Sequence, residues 1–207
     1  MARDKKPKKP VVEAPRLPPR FFLVAPDTAS VAQVVECLKA ACAAGDVASL
    51  LLPAGLAKDV TSAAQDLGVA VIISGEARDA TRHGADGLQV DANTHDVAGA
   101  REAMGKDRFV GAYAAASRHF AMEAAEAGAD YIAFDQNGAS VGGEPILKWW
   151  SEMMEIPAVA FSPVAPDALD TLLPQRPDFI RPSDAMWQSA DEAGRIVAAL
   201  AQRLGSQ

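Results

Sequence analysis

The chain has 207 residues, 49% of them hydrophobic and 23% charged, with a formal net charge of −7. That length supports one well-cored domain, and no apolar run approaches the roughly 18 residues a membrane span needs. Beyond the first twenty residues the balance is 13 basic against 25 acidic, a net of −12, which argues against a nucleic-acid-binding body.

The opening "MARDKKPKKPVVEAPRLPPR" carries seven Lys/Arg and two acidic residues. It has no apolar h-region, so it does not read as a secretory signal. Its Pro and Lys content reads as a disordered basic tail over residues 1–19, with the folded domain spanning 20–207. Cys37 and Cys42 are five residues apart, which is neither one helix face nor a metal-ligand spacing, and they predict reduced thiols in a cytoplasmic protein. His83, His95 and His119 are scattered, with no spacing that builds a metal site.

From residue 21 onward, short β-branched or aromatic runs alternate with Ala-rich amphipathic ones, the pattern of a parallel sheet covered by helices. The predicted strands are 20–24, 47–52, 69–73, 86–90, 108–113, 130–134, 157–161 and 178–182. The helical segments between them lie near 28–43, 55–66, 76–83, 95–104, 117–127, 144–154, 166–173 and 189–203. Eight βα units predict an α/β fold, a compact single-domain (β/α)8 TIM barrel. The folded part is shorter than the ~250 residues typical of that barrel, so its loops must be lean. An open doubly wound sheet would need a Gly-rich turn after the first strand, and "FFLVAPDTAS" has none.

An aspartate precedes every even-numbered strand: Asp46, Asp86, Asp130 and Asp178. Side chains alternate along a strand, so counting from each aspartate sorts the residues by face. Val47, Gly87, Tyr131 and Phe179 form one predicted inward layer; Ser49, Gln89, Ala133 and Arg181 the next; Leu51, Asp91, Asp135 and Ser183 the top one. Ala48, Leu88, Ile132 and Ile180, and above them Leu50, Val90, Phe134 and Pro182, should face the helix ring. The leading aspartates fall at the bottom of the barrel. Asp91 and Asp135 fall at the C-terminal face, where barrel chemistry is done.

Arg181 is predicted in a middle layer, where an unpaired charge would cost several kcal/mol, roughly. Asp91, Asp135 and Gln89 are its candidate partners. Two readings stay open: an internal polar network that plugs the barrel top, or a pocket with two carboxylates and one guanidinium, bordered by Glu76, Gln89 and Tyr113. The segment 135–143, with glycines at 138, 142 and 143, fits either a lid or plain disorder. Trp149-Trp150 and Met153-Met154, on the sixth helix, should pack on the barrel or against a second copy in a homo-oligomer.

The stretches "RFFLVAPD", "VAVIISGEARDATRHGADGLQVD", "FVGAYAAASRHFAMEAAEAGADYIAF" and "SDAMW" resemble thiamine phosphate synthase and its TenI relatives over about residues 20–203. The resemblance implies a barrel transferase that condenses hydroxymethylpyrimidine pyrophosphate with a thiazole phosphate, using Mg2+. Expelling pyrophosphate requires cations on the leaving group. The family's Gln-x-Arg-x-Lys at strand two falls here on Ser49, Leu51 and Pro53. Its Asn-Asp after strand three falls on Ser74-Gly75 beside Glu76, and its Mg2+ aspartate falls on Thr94, near Asp91 and Asp96. The serine after strand five becomes Tyr113, and the histidine of TenI-type isomerases becomes Ala115. The Thr-x-Thr-Lys loop becomes "DQNGASVGGEP", and the Gly-Gly after strand seven becomes Ser162-Pro163, where proline removes a backbone donor. Ser183 remains, and with the backbone of Asp184 and Ala185 and the nearby Ser162 it forms the candidate phosphate site.

The functional expectation is therefore a synthase-like barrel with the family activity weakened or lost, and Mg2+ needed only if that activity is retained. The alternatives are a non-catalytic sensor or assembly protein for a small phosphorylated molecule, or a redirected enzyme on such a substrate, with Asp91 or Asp135 as general base and Arg181 beside it.

Overall fold

The computed structural model describes residues 17–138 and 143–205. Residues 1–16, most of the expected tail, lie outside the described residues, as do 139–142 of the glycine-bearing loop. The strands are β1 (Arg20–Val24), β2 (Val47–Pro53), β3 (Ala70–Ser74), β4 (Gly87–Asp91), β5 (Phe109–Ala115), β6 (Tyr131–Phe134), β7 (Ala158–Val164) and β8 (Phe179–Pro182). The helices are α1 (Val31–Ala44), α2 (Ala54–Gln65), α3 (Ala77–Arg82), α4 (Val97–Met104), α5 (Arg118–Glu126), α6 (Ile146–Met153), α7 (Leu169–Leu172) and α8 (Ala190–Leu204). All strand pairs are parallel, and β8 closes on β1 to complete an eight-stranded barrel. Among the described residues no helix is long and apolar enough to cross a membrane.

The alternation that the sequence predicts holds along most of the sheet. Leu50, Leu88, Val90, Ile132, Phe134 and Ile180 join the core between sheet and helices. Phe22, Leu51, Ile72, Tyr131, Ala133 and Val159 pack together inside the barrel. Val47 departs from the expected inward layer. The β1–β2 register slips after Phe21, which faces Val47, so that Phe22 faces Ser49. This bulge swaps the faces of the residues below it: Val47 joins Phe21 in the outer core, and Ala48 faces the barrel bottom.

Helix starts follow their caps. Ser30, Ser117 and Ser189 each accept the N–H three residues on, at 3.2 Å, and so start α1, α5 and α8. The seventh helical segment is only four α-helical residues between two 3-10 turns, Pro166–Ala168 and Leu173–Gln175, because Pro174 offers no N–H to carry the helix on. Trp150 of α6 is fully buried; its ring meets Phe134 edge-on at 5.3 Å, and its Nε1–H donates to the Ile156 carbonyl at 2.7 Å.

The bottom aspartates stitch each even strand to the odd strand before it. The side chains of Asp86, Asp130 and Asp178 accept the backbone N–H of Val71 on β3, Val110 on β5 and Ala158 on β7, at 2.7, 2.7 and 2.8 Å. Asp46 instead takes two hydrogen bonds from the Arg20 guanidinium on β1, at 2.7 and 2.8 Å. The recurring aspartate is thus a device for strand pairing, as its position at αβ turns suggests.

Candidate functional site

Four aromatic rings run up the barrel axis. Tyr131 meets Phe22 edge-on at 5.6 Å, Phe22 meets Phe161 at 6.3 Å, and Phe161 meets Tyr113 at 5.2 Å. Below them a mostly apolar cavity of about 230 Å3 opens among Phe22, Tyr131 and Phe179. Above them, at the C-terminal mouth, lies a polar cavity of about 300 Å3. Its lining includes Asp27 after β1, Leu51 and Pro53 of β2, Ser74 of β3, Gln89 and Asp91 of β4, Tyr113 of β5, Phe161 of β7 and Arg181 of β8.

Of the predicted mouth residues, Gln89 and Tyr113 line this cavity, while Glu76 is exposed outside it and pairs with Arg78 at 3.2 Å. Gln89 is only 6% exposed; its Oε1 accepts the Tyr131 hydroxyl at 2.9 Å, and its Nε2 donates to no other described residue. Burial pushes the Tyr131 phenol far above its usual range, so it stays a neutral donor. Tyr113 is shifted upward as well, first by burial and then by the carboxylates of Asp135 and Asp91, with Arg181 acting the other way.

The expected contact of Arg181 with Asp91 and Asp135 is replaced by a nearer one. Arg181 turns toward Asp184, three residues on, and grips it through NH2 at 2.7 and 2.9 Å and Nε at 3.2 Å. NH1 reaches the Phe161 carbonyl at 3.3 Å, and the guanidinium lies 5.2 Å from the centre of the Phe161 ring. A partner in the same turn costs less chain ordering than one across the barrel, so the sequence-local carboxylate wins. Arg181 therefore borders an open cavity and does not plug it.

Asp91 accepts the backbone N–H of Asn93 at 2.8 Å, in a tight turn that leaves it half-exposed at the rim. Asp135 bonds the Ser162 hydroxyl and accepts the N–H of Asn137 at 3.2 Å. Gln136 clasps the backbone of Ser162 at both ends, donating to its carbonyl and accepting from its N–H, each at 2.8 Å. These bonds tie the loop after β6 to β7 at Ser162. In the candidate phosphate site, Ser183 Oγ already accepts the Ala185 N–H at 3.4 Å, Asp184 is held by Arg181, and Ser162 is held by Asp135.

Phe161 and Asp27 are among the lining residues that the sequence reading did not single out, as are Val24 and Ala25, and Val90 lines the cavity although it was expected to face the helix ring. Phe161 follows by simple alternation from Val159 on β7, a strand outside the even-strand layers. Asp27 sits in the loop after β1, where no periodicity points inward. As for Mg2+, among the described residues no group of three or more His, Cys, Asp or Glu side chains could hold a metal ion. The rim offers Asp27 and Asp91 on different loops, and Asp91 is already engaged with its own turn. The positions where the resemblance places the family's Mg2+ carboxylates, Gly75 and Thr94, carry none, so any carboxylate offered to the metal here would come from Asp27 or Asp91.

A closed parallel (β/α)8 barrel with a polar cavity at the carboxyl ends of its strands defines a class of proteins that handle small molecules at that face. Residues 21–180 match the family model described as thiamine monophosphate synthase. The thiamine-phosphate synthase of Rhodospirillum centenum is 33% identical over 184 residues, covering 81% of this chain and 89% of that protein. That of Hyphomonas neptunium is 31% identical over 206 residues, covering 89% and 93%. The Erythrobacter litoralis synthase is 37% identical over 139 residues, covering 63% of this chain and 65% of that protein. Among solved structures, the Pyrococcus furiosus thiamine phosphate pyrophosphorylase superposes with a TM-score of 0.74 at 19% identity, covering 90% of this chain and 96% of that one. A 3-hexulose-6-phosphate synthase superposes with a TM-score of 0.67 at 16% identity, covering 88% and 99%. The chain belongs to the thiamine monophosphate synthase and TenI family.

Proposed function

We propose that this chain is a thiamine-phosphate-synthase-like barrel in which the family condensation is weakened or lost and the mouth serves as a small-molecule site of altered chemistry. The observation that carries this reading is the pairing of Arg181 with Asp184. Among the described residues lining the mouth cavity Arg181 is the one cation, and its Nε–NH2 edge is filled by a carboxylate of its own chain. Condensation by loss of pyrophosphate builds negative charge on the leaving group, and fixed cations or a metal must meet that charge. Here the lining pairs two carboxylates, Asp27 and Asp91, with a guanidinium already neutralised.

Turnover of hydroxymethylpyrimidine pyrophosphate and thiazole phosphate, in the presence of Mg2+, tests the reading. Loss of a single charge-stabilising donor lowers kcat by about 100-fold to 1,000-fold, so with several absent no turnover above background is expected. Condensation at a few per second or faster, in the ordinary range for enzymes, would overturn it.

A further inference from the structure

The geometry points to a small planar organic cation, bearing a hydrogen-bond acceptor at one end and no phosphate, as the ligand of the mouth cavity. This rests on the reading of the mouth given above and names what it takes in.

The rim is anionic. Asp27 and Asp91 line the cavity, while Arg181 donates three hydrogen bonds to Asp184 and so contributes little positive charge of its own. A phosphate entering here would meet two carboxylates that no described cation pairs and would have to displace Asp184 from the guanidinium; a cation would be attracted by both, while Asp91 keeps its bond to the Asn93 N–H. One wall is aromatic: Tyr113 and Phe161 pack against each other at 5.2 Å with their planes tilted by 47°, and because Arg181 already lies over the Phe161 ring, Tyr113 is the ring left to meet a ligand cation. The floor is polar and incomplete. Gln89 is 6% exposed and lines the cavity, yet its Nε2 donates to no described residue. The Nε2 atom faces the open cavity, so a ligand that displaces solvent from it must offer an acceptor in its place or leave the donor unpaired. A volume of about 300 Å3 is at the small end of ligand pockets and holds one ring with short substituents.

Two probes that differ mainly in charge test this with the full chain. One is 4-amidinobenzamide, a planar cation with a carboxamide acceptor; the other is 4-carbamoylphenyl phosphate, the same ring and carboxamide with an anion. Titration calorimetry of the wild-type protein is expected to give at least tenfold tighter binding of the cation. Asp91→Asn, which keeps the acceptor for the Asn93 N–H, should weaken the cation about tenfold without lowering Tm. Asp184→Asn, which releases Arg181, should strengthen the phosphate probe about tenfold. Gln89→Leu should weaken both probes alike. The proposal is overturned if the phosphate probe binds the wild-type protein more tightly, if neither probe binds at millimolar concentration, or if Asp184→Asn leaves phosphate binding unchanged. Condensation of the family substrates would instead sink the broader reading, whatever the probes do. A mouth that catalyses nothing yet prefers the phosphate probe defeats this inference alone.

Discussion

The carboxylate of Asp130 accepts the backbone N–H of Val110 at 2.7 Å, and the same oxygen takes the guanidinium of Arg101. One side chain thus joins β6 to β5 and anchors α4 at the floor of the barrel. Asp130→Ala leaves the Val110 N–H and the largely buried Arg101 without this acceptor, at an expected cost of about 2–3 kcal/mol. Asp130→Asn, which keeps one acceptor oxygen, should cost less. Urea denaturation measures both, and a loss under about 0.5 kcal/mol for the alanine variant would show that Asp130 does not secure the pair.

Gly111 on β5 leaves room for a ring. A Cβ placed there would overlap the phenol of Tyr131, the residue that faces it on β6. Gly111→Ala should therefore displace Tyr131, break its bond to Gln89 and destabilise the fold by about 1–3 kcal/mol. In a double-mutant cycle with Tyr131→Leu, the coupling between the two sites should reach at least about 1 kcal/mol. Additive losses would mean that the ring is not what the glycine accommodates.

The chain has two tyrosines, Tyr113 and Tyr131, and both are shifted above their ordinary value of 10. Unfolding exposes phenols that ionise near 10, while the folded protein keeps them protonated. The unfolded state then binds fewer protons, so stability falls as pH rises beyond 10 and is unaffected by these groups below it. Ultraviolet titration of the folded protein should show the first phenolate step above pH 10 and assign it to Tyr113 by its loss in Tyr113→Phe. A full two-tyrosine transition at the ordinary value in native protein would contradict the burial of Tyr131 and the partial burial of Tyr113.

Gln136 holds Ser162 by two hydrogen bonds of 2.8 Å. Gln136→Ala removes both, at an expected cost of about 1–2 kcal/mol, and should speed hydrogen exchange at the Ser162 amide while leaving the bottom of β7 protected. Exchange that rises equally along β7 would mean the clasp is not local.

The barrel could be read from the sequence because its evidence is periodic. Eight apolar runs, the inward–outward alternation of Leu88–Gln89–Val90, and the aspartate before each even strand all obey simple local rules. The failures have local causes too. Val47 faces outward because a bulge between β1 and β2 has no signature in composition. Arg181 was expected to seek Asp91 or Asp135 through the alternation of strands, but the 3-10 turn after β8 brings Asp184 within reach first. The site was legible only in part. Gln89, Asp91 and Arg181 lie on even strands and follow from counting, and Tyr113 on β5 follows from the resemblance, whereas Asp27 is placed by a loop whose path no period describes. Asp135 and Ser162 were expected as separate functional candidates; they bond one another and close the loop after β6 onto β7.

The four contacting rings from Tyr131 to Tyr113 turn the barrel into a cup with a floor. The upper and lower cavities share no lining residue, and the Tyr131–Gln89 hydrogen bond spans the partition between them. What enters at the mouth meets a floor that is greasy except for one amide. The underside can drift in sequence without the upper chamber registering the change, provided Gly111 stays bare and the partition stays upright.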